Sequence, residues 1–239
     1  MIDSLILNLE HRDLLTDDEK AHLRKLITLE RHFARGEDIV QERSRPRYST
    51  LMLEGFSARY KLTQSGTRQI TALHLPGDFV DLHAFPLRLM DHGIMAMSPC
   101  RVALVDHGYL TAITEGMPHL TRLFWLQTLI DGAMQRERIV AMGRKSAKSH
   151  LAHLFCELFM RLKVVNLTEG YSFSLPLTQQ ELSDVLGLSI VHLNKTLQTL
   201  RRDGVLAFES ERVTILEWDR LSEIAEFDPT YLSLQVEPR

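Results

Sequence analysis

The chain has 239 residues, 44% hydrophobic and 25% charged, enough for one large core or two modest ones in an ordinary globular protein. No run of about 18 apolar residues is present to cross a membrane, and the N-terminus lacks a basic stretch followed by an apolar one. Cys100 and Cys156 are too few for a disulfide framework, so reduced thiols and a cytoplasmic location are expected, while the net charge of −3 offers no general affinity for nucleic acid.

Thr16-Asp17-Asp18-Glu19 has capping-box spacing and predicts a short helix through Leu26. From Arg31 to about Asp106 the pattern becomes strand-like, most clearly at Thr50–Glu54, Gln69–Leu75 and Cys100–Val105. Turn signals punctuate it at Gly36-Glu37-Asp38, Glu54-Gly55, Gln64-Ser65-Gly66 and Pro76-Gly77-Asp78. Short strands separated by glycine turns predict an antiparallel barrel or sandwich.

From about His119 to Met142 a long helix is expected. Leu120, Leu123, Leu126 or Gln127, Ile130, Met134, Glu137 and Ala141 track one face at heptad-like spacing. A second copy of the chain is the economical partner for that stripe, and the chain's own barrel is the alternative. Gly143 reads as a break and a hinge. Helix resumes from Ser146 to Lys163, with Leu151, Leu154, Phe155, Leu158, Phe159 and Leu162 facing inward and Cys156 packed among them.

Leu177 to Leu200 reads as two helices joined at a glycine. Thr178 and Glu181 form a second capping box, Leu182, Val185 and Leu186 give a buried face, and Gly187 can take the positive φ of a tight turn. Ser189 caps the second helix, whose inward stripe is Leu193, Leu197 and Leu200. Its outward face is Ile190, Val191, His192, Asn194, Lys195 and Gln198, a mixture of donors and small apolar groups suited to the major groove. Lys195, Arg201 and Arg202 supply local positive charge, and Arg136, Arg138, Arg144, Lys145 and Lys148 form a second cluster upstream. Asp203-Gly204 turns the chain, and Phe208 and Val213–Leu216 flank a hairpin wing. The tail from Glu217 is mostly polar and carries no reading.

In this order these features resemble the Crp/Fnr family of bacterial transcription regulators, over nearly the whole chain and most specifically in the helix-turn-helix and Pro76-Gly77-Asp78-Phe79. The resemblance implies an α+β fold: a double-stranded β-helix (β-roll or jelly-roll) of the cyclic-nucleotide-binding type over residues 1–118, a dimerisation helix and hinge over 119–143, and a winged helix-turn-helix over 144–239. It implies a homodimer on a palindromic DNA operator, with RNA polymerase as a further partner and no membrane. Thr178, Gln179, Gln180 and Ser189 fall where family members touch phosphates, and Ile190, Val191, Asn194 and Lys195 where they approach bases, with His192 beside them. Glutamate commonly stands at Val191 and arginine at Lys195, so the operator is expected to depart from the familiar one.

Relatives that bind cyclic nucleotides carry Gly-Glu and then an Arg-Ser or Arg-Thr pair for the phosphate. Here Gly77-Asp78 and Met90-Asp91 occupy those places, with Phe79 and Arg88 completing the candidate effector pocket. A phosphate at Asp91 would meet a carboxylate, which argues against ordinary cyclic AMP binding. Two cysteines are too few for an iron–sulfur cluster. Haem would draw on His74, His83, His92 or Cys100, which read more simply as ordinary loop and core residues, and no metal site is assigned.

The alternatives are a haem- or other small-molecule-dependent regulator, a ligand-independent regulator, and a winged helix used for protein interaction. No catalytic residues are assigned. Asp78, Asp81, His83 and His92 make the best enzymatic cluster, but no nucleophile motif, Walker loop or HExxH accompanies them.

Overall fold

The structure, a computed structural model, describes residues 2–238. The chain divides into two compact units. The first comprises Met1–Lys61, Thr71–Gly132 and Ser233–Arg239, and the second Leu62–Ile70 and Ala133–Leu232.

The first unit opens with helices α1 (Asp3–Glu10) and α2 (Asp17–Arg24). Thr16 and Glu19 form the expected capping box, and α2 ends two residues before Leu26. The strands that follow are β1 (Leu29–Phe33), β2 (Asp38–Val40), β3 (Tyr48–Glu54), β4 (Ser57–Leu62) and β5 (Arg68–His74). After the short helix α3 (Ala84–Leu87) come β6 (Gly93–Ala96), β7 (Cys100–Asp106) and helix α4 (His107–Gly116). They make two sheets, β1-β7-β3 and β2-β6-β4-β5, whose paired registers are antiparallel: Leu51 opposes Ala103, and Tyr60 opposes Gly93.

This is a β-roll, and the period-two pattern of its strands explains its two cores. Leu51 and Leu53 of β3 and Ala103 and Val105 of β7 join a cluster with α1 and α2 leucines. The alternate residues Met52 and Val102 join Val80, Met90 and Ile94 in another.

A polar clamp ties α2 to the next helix, α5 (Pro118–Arg144). His119 lies with Nδ1 2.6 Å from Glu19 Oε1 and Nε2 3.1 Å from Asp13 Oδ2. Burial works against the imidazolium, but hydrogen bonds to Asp13 and Glu19 prevail and raise its pKa. The stabilisation is therefore fully present below the unfolded histidine value of about 6.5 and is lost as pH rises through the higher folded value. His119→Gln is expected to cost about 1 to 2 kcal/mol near pH ~6 and progressively less in alkali. Urea melts of both proteins across pH check it; a pH-independent difference would refute the clamp.

Helix α5 departs from expectation twice. It runs through Gly143, because the roughly 1 kcal/mol cost of one glycine does not break a helix held at Ala141 by packing. The stop comes at Ser146, which is extended and caps helix α6 (Ala147–Val164) through the N–H of Ser149. The expected stripe is also partly covered by its own chain: Leu120, Leu123, Ile130 and Ala141 are buried, Leu120 and Leu123 with Phe124 in the roll's core. The other members of that stripe, Leu126, Gln127, Met134 and Glu137, are half-buried. Trp125, Leu129, Ile139 and Val140, outside that stripe, are exposed.

The second unit continues with β8 (Ser172–Ser174), α7 (Gln179–Leu186), α8 (Ile190–Arg202), β9 (Leu206–Glu209) and β10 (Arg212–Ile215), the strands ordered β8-β10-β9. The polar tail, unread from sequence, forms helix α9 (Trp218–Ala225) and a 3₁₀ turn (Pro229–Leu232). Leu221, Ala225 and Leu232 are buried, and Trp218 packs on Phe159 with ring centroids 5.2 Å apart.

Candidate nucleic-acid interface

Local chemistry fixes the helix pair. Thr178 Oγ1 accepts from Glu181 N–H at 3.2 Å, while Glu181 Oε2 accepts from Thr178 N–H at 2.7 Å. Gly187 closes α7 at φ +65°, and a Cβ there would come within 3.1 Å of Met142 Cε. Ser189 Oγ then caps α8 by accepting from His192 N–H at 3.2 Å. Both capping hydroxyls act as acceptors, which leaves each O–H able to donate to a phosphate. The segment Leu62–Ile70 grips the end of α7: Arg68 Nη2 lies 2.7 Å from Asp184 Oδ2, and Gln69 Nε2 donates to Asp184 O at 2.6 Å.

The inward stripe of α8 is as expected, with Leu193, Leu197 and Leu200 buried. Its outward face is open. Val191 is 79% exposed, Ile190, His192 and Lys195 are exposed and Asn194 is half-buried. Thr178, Gln179 and Gln180 at the start of α7 are exposed with Ser189. Among the described residues, no side-chain hydrogen bond or ion pair engages Gln179, Asn194 or Lys195. Gln180 is different: its Nε2 donates to Asp184 Oδ1 at 2.7 Å, so it must turn away from its own helix to reach a phosphate.

The positive charge also divides. Arg201 Nη2 donates to Phe208 O at 2.6 Å and so braces the wing, whereas Arg202 is exposed. In the upstream cluster Arg138 pairs with Glu157 at 3.7 Å, Lys148 with Asp203, and Lys145 Nζ donates to Ala225 O at 2.7 Å. Those three cations hold the unit together. The wing turn, Ser210-Glu211, has both residues at positive φ and is flanked by Glu209, which gives its tip acidic character.

The candidate effector residues are distributed over the first unit. Gly77, at φ +95°, lies against α1, where an added Cβ would come within 2.6 Å of Ser4 O. Asp78 folds back to accept from Leu75 N–H at 2.8 Å, and Phe79 stacks edge-on against Phe124 at 5.7 Å. Arg88 lines an outer groove with Arg45, Arg47, Phe85 and His107. Met90 is buried in the roll's core, and the exposed Asp91 carboxylate accepts from His92 Nδ1 at 2.7 Å. Sequence reasoning did not single out Arg59, whose Nη1 donates to Asp131 Oδ2 of α5 at 2.9 Å. A charged residue on a strand and another 72 positions later give no local signal of that pairing.

Cys100 and Cys156 are both free and buried, and burial pushes the Cys156 thiol up to about 12. Among the described residues no helix is long and apolar enough to cross a membrane, and no group of three or more metal-ligating side chains is gathered.

Two helices meeting at a left-handed glycine, an open second helix and a three-stranded wing, following a β-roll in the sequence, define a DNA-binding transcription regulator. Residues 30–116 match the cyclic nucleotide-binding domain family, and residues 149–224 match the Crp-like helix-turn-helix domain family. The chain belongs to the Crp/Fnr family of transcription regulators, which bind DNA and are dimeric. It is 29% identical to the nitrogen fixation regulation protein FixK of Bradyrhizobium diazoefficiens, over 87% of each chain. It is 26% identical to the transcriptional activator protein FnrL of Cereibacter sphaeroides, over 87% of this chain and 85% of that one. Its fold is that of FixK2 from Bradyrhizobium japonicum, with a TM-score of 0.70 at 23% identity, covering 82% of this chain and 96% of the other.

Proposed function

We propose that the chain acts as a homodimer on a two-fold symmetric operator, each α8 entering the major groove at half-sites about 34 Å apart. Ile190, Val191, Asn194 and Lys195 approach the bases, with His192 beside them. Thr178, Gln179, Gln180 and Ser189 position the helices on phosphates. The observation that carries this reading is the open outer face of α8, with Val191 79% exposed and Lys195 unpaired. The functional division is a sensory segment over 1–118, a dimer helix over 119–143 and a DNA reader over 144–239. The exposed Trp125, Leu129 and Ile139 follow the 3.5-residue spacing of a helix seam, which supports α5 as the surface that meets the second copy. The site of action is the cytoplasm, RNA polymerase is the downstream partner, and no catalysis is involved.

The sensory input differs from a cyclic nucleotide's. Asp91 places a carboxylate, and Met90 a buried thioether, where the family's phosphate-holding pair would stand. Neither can replace a guanidinium and a hydroxyl, so cyclic AMP is not the input. The same observation favours a second reading, a regulator that binds DNA without a ligand.

Selection from random duplexes by gel shift is expected to enrich a palindrome. Failure to shift any duplex at low salt, where phosphate contacts are strongest, would overturn the DNA-reading assignment.

A further inference from the structure

The loop between β2 and β3 contains Arg43-Ser44-Arg45-Pro46-Arg47, a basic run in a chain whose net charge is −3. It lies outside the helix-turn-helix. Arg45 and Arg47 line an outer groove of about 500 Å³ together with Arg88, which ends α3, and His107, which begins α4. Phe85 forms an aromatic wall with His107, the two rings edge-on at 5.4 Å. Neither Arg59, Met90 nor Asp91 is part of the lining, so the groove is separate from the interior of the roll.

The three guanidinium groups are uncompensated. Arg45, Arg47 and Arg88 are exposed, and among the described residues none of them makes a side-chain hydrogen bond or ion pair. By contrast Arg101 is taken up by Glu30 and Glu54, and Lys61 by Glu42. Asp106 is the acid of the groove, and its Oδ1 is engaged in capping α4, accepting from Gly108 N–H at 2.7 Å. Three like charges that share one groove repel one another, and an anion placed among them relieves all three. Arg88 also stands at φ +63°, a left-handed position that glycine would fill without a Cβ penalty. The fold thus keeps a guanidinium there at a conformational cost.

The chemistry selects the guest. A guanidinium offers planar pairs of N–H donors that match phosphate oxygens bidentately, and it stays charged at any physiological pH. Three such forks in a groove of about 500 Å³ exceed what one orthophosphate can fill, whereas a chain of phosphates brings negative charge to each fork. Burial holds His107 below its usual value, so it adds a ring to the wall and no charge. A concave groove also suits a compact ligand better than the phosphate rail of a duplex. We propose that Arg45, Arg47 and Arg88 bind an oligophosphate, free or carried by a nucleotide, in this outer groove. The ligand bridges the β2–β3 loop, the end of α3 and the start of α4, and so stabilises the folded first unit as it binds. This does not depend on the DNA-reading assignment, because it is read on protein without DNA.

The test is calorimetric titration of the full chain with inorganic tripolyphosphate and, separately, with ATP, against orthophosphate at matched ionic strength. Saturable binding at one site per chain is expected, about tenfold or more tighter than orthophosphate. ATP at least as tight as tripolyphosphate identifies a nucleotide as the source, and ATP weaker identifies a free oligophosphate. Arg45→Gln and Arg88→Gln are each expected to weaken binding about tenfold, the loss of a charge-assisted contact. Arg31→Gln removes the same charge from an exposed position on β1 outside the groove and is expected to change affinity less than about twofold. Should Arg88→Gln fail to fold, Arg45→Gln, in an exposed loop, decides alone. The proposal is overturned if neither oligophosphate binds more tightly than orthophosphate, if Arg31→Gln loses as much as Arg45→Gln, or if poly-glutamate binds as tightly. Loss of affinity for non-operator duplex DNA in Arg45→Gln, with no oligophosphate binding to the unaltered chain, would make the groove a DNA contact and also overturn it.

Discussion

Lys195→Ala and Asn194→Ala are each expected to weaken binding to the selected operator by about tenfold to a hundredfold, leaving helix content and dimer mass unchanged. The magnitude follows from a base-edge contact, worth about 1 to 3 kcal/mol. The unchanged fold follows from position: neither side chain makes a hydrogen bond or ion pair among the described residues, and both lie on the outer face of α8. Surface substitutions that break no hydrogen bond or ion pair stay within about 0.5 kcal/mol in stability. The two variants should also differ in kind. Losing the Asn194 amide should relax sequence preference at one base pair. Losing the Lys195 ammonium should do the same if it reads guanine, but should weaken all sequences alike and lower the salt slope by about one if it holds a phosphate. Unaltered affinity in both variants would remove α8 from the groove.

The helix pair behind that experiment was legible because its determinants are local. Thr178, Glu181, Gly187 and Ser189 act on atoms within four residues, so spacing alone predicts their hydrogen bonds. The same holds for Thr16 and Glu19, and for the alternation of Leu51, Met52 and Leu53 between two cores. Helix α5 was harder, because it carries two apolar stripes. Leu120, Leu123 and Ile130 compete with Trp125, Leu129 and Ile139, and periodicity cannot say which stripe its own chain will cover. The choice is made by α1 and α2 leucines more than 90 residues away. Helix α9 had an apolar spacing at Trp218, Leu221 and Ala225, but Asp219, Arg220 and Glu223 between them hid it in a polar average.

Long-range polar pairs were the least legible. Arg59 looks like a solvated strand residue until Asp131 is found beside it, and Gln127 looks like one more member of a helical face. Cations upstream of the helix-turn-helix misled in the other direction. Arg138, Lys145 and Lys148 have the composition of a DNA-binding patch, yet each is engaged within the unit that carries it. Charge in a sequence is ambiguous between recognition and architecture, because both need the same side chains. Only the location of the opposite charge separates them.

Glu157→Ala is expected to destabilise the second unit by about 3 to 5 kcal/mol, the largest effect of any substitution considered. Glu157 stands in the apolar helix α6 at 3% exposure, so its carboxylate is held only by its partners. Arg161 Nη1 lies 3.4 Å away, Arg138 Nη2 3.7 Å, and the Tyr231 hydroxyl donates at 2.9 Å. Burial and the carboxylate hold the Tyr231 hydroxyl protonated, which keeps it a donor. Alanine would remove the one carboxylate that these two guanidinium groups and the phenol share, whereas Glu157→Gln keeps an acceptor for Tyr231 and should cost about half as much. Urea unfolding of the full chain near neutral pH measures both; an alanine variant within about 0.5 kcal/mol of the unaltered chain would show the cluster to be inert. A second readout follows from His150 and His153, which burial holds down to about 4. Their folded values lie below the unfolded one, so the native state takes up fewer protons and loses stability as pH falls from about 6.5 toward about 4. Glu157 opposes that depression in both rings. Its removal should therefore steepen the acid limb as well as lower the neutral plateau, whereas a simple packing defect would lower both equally.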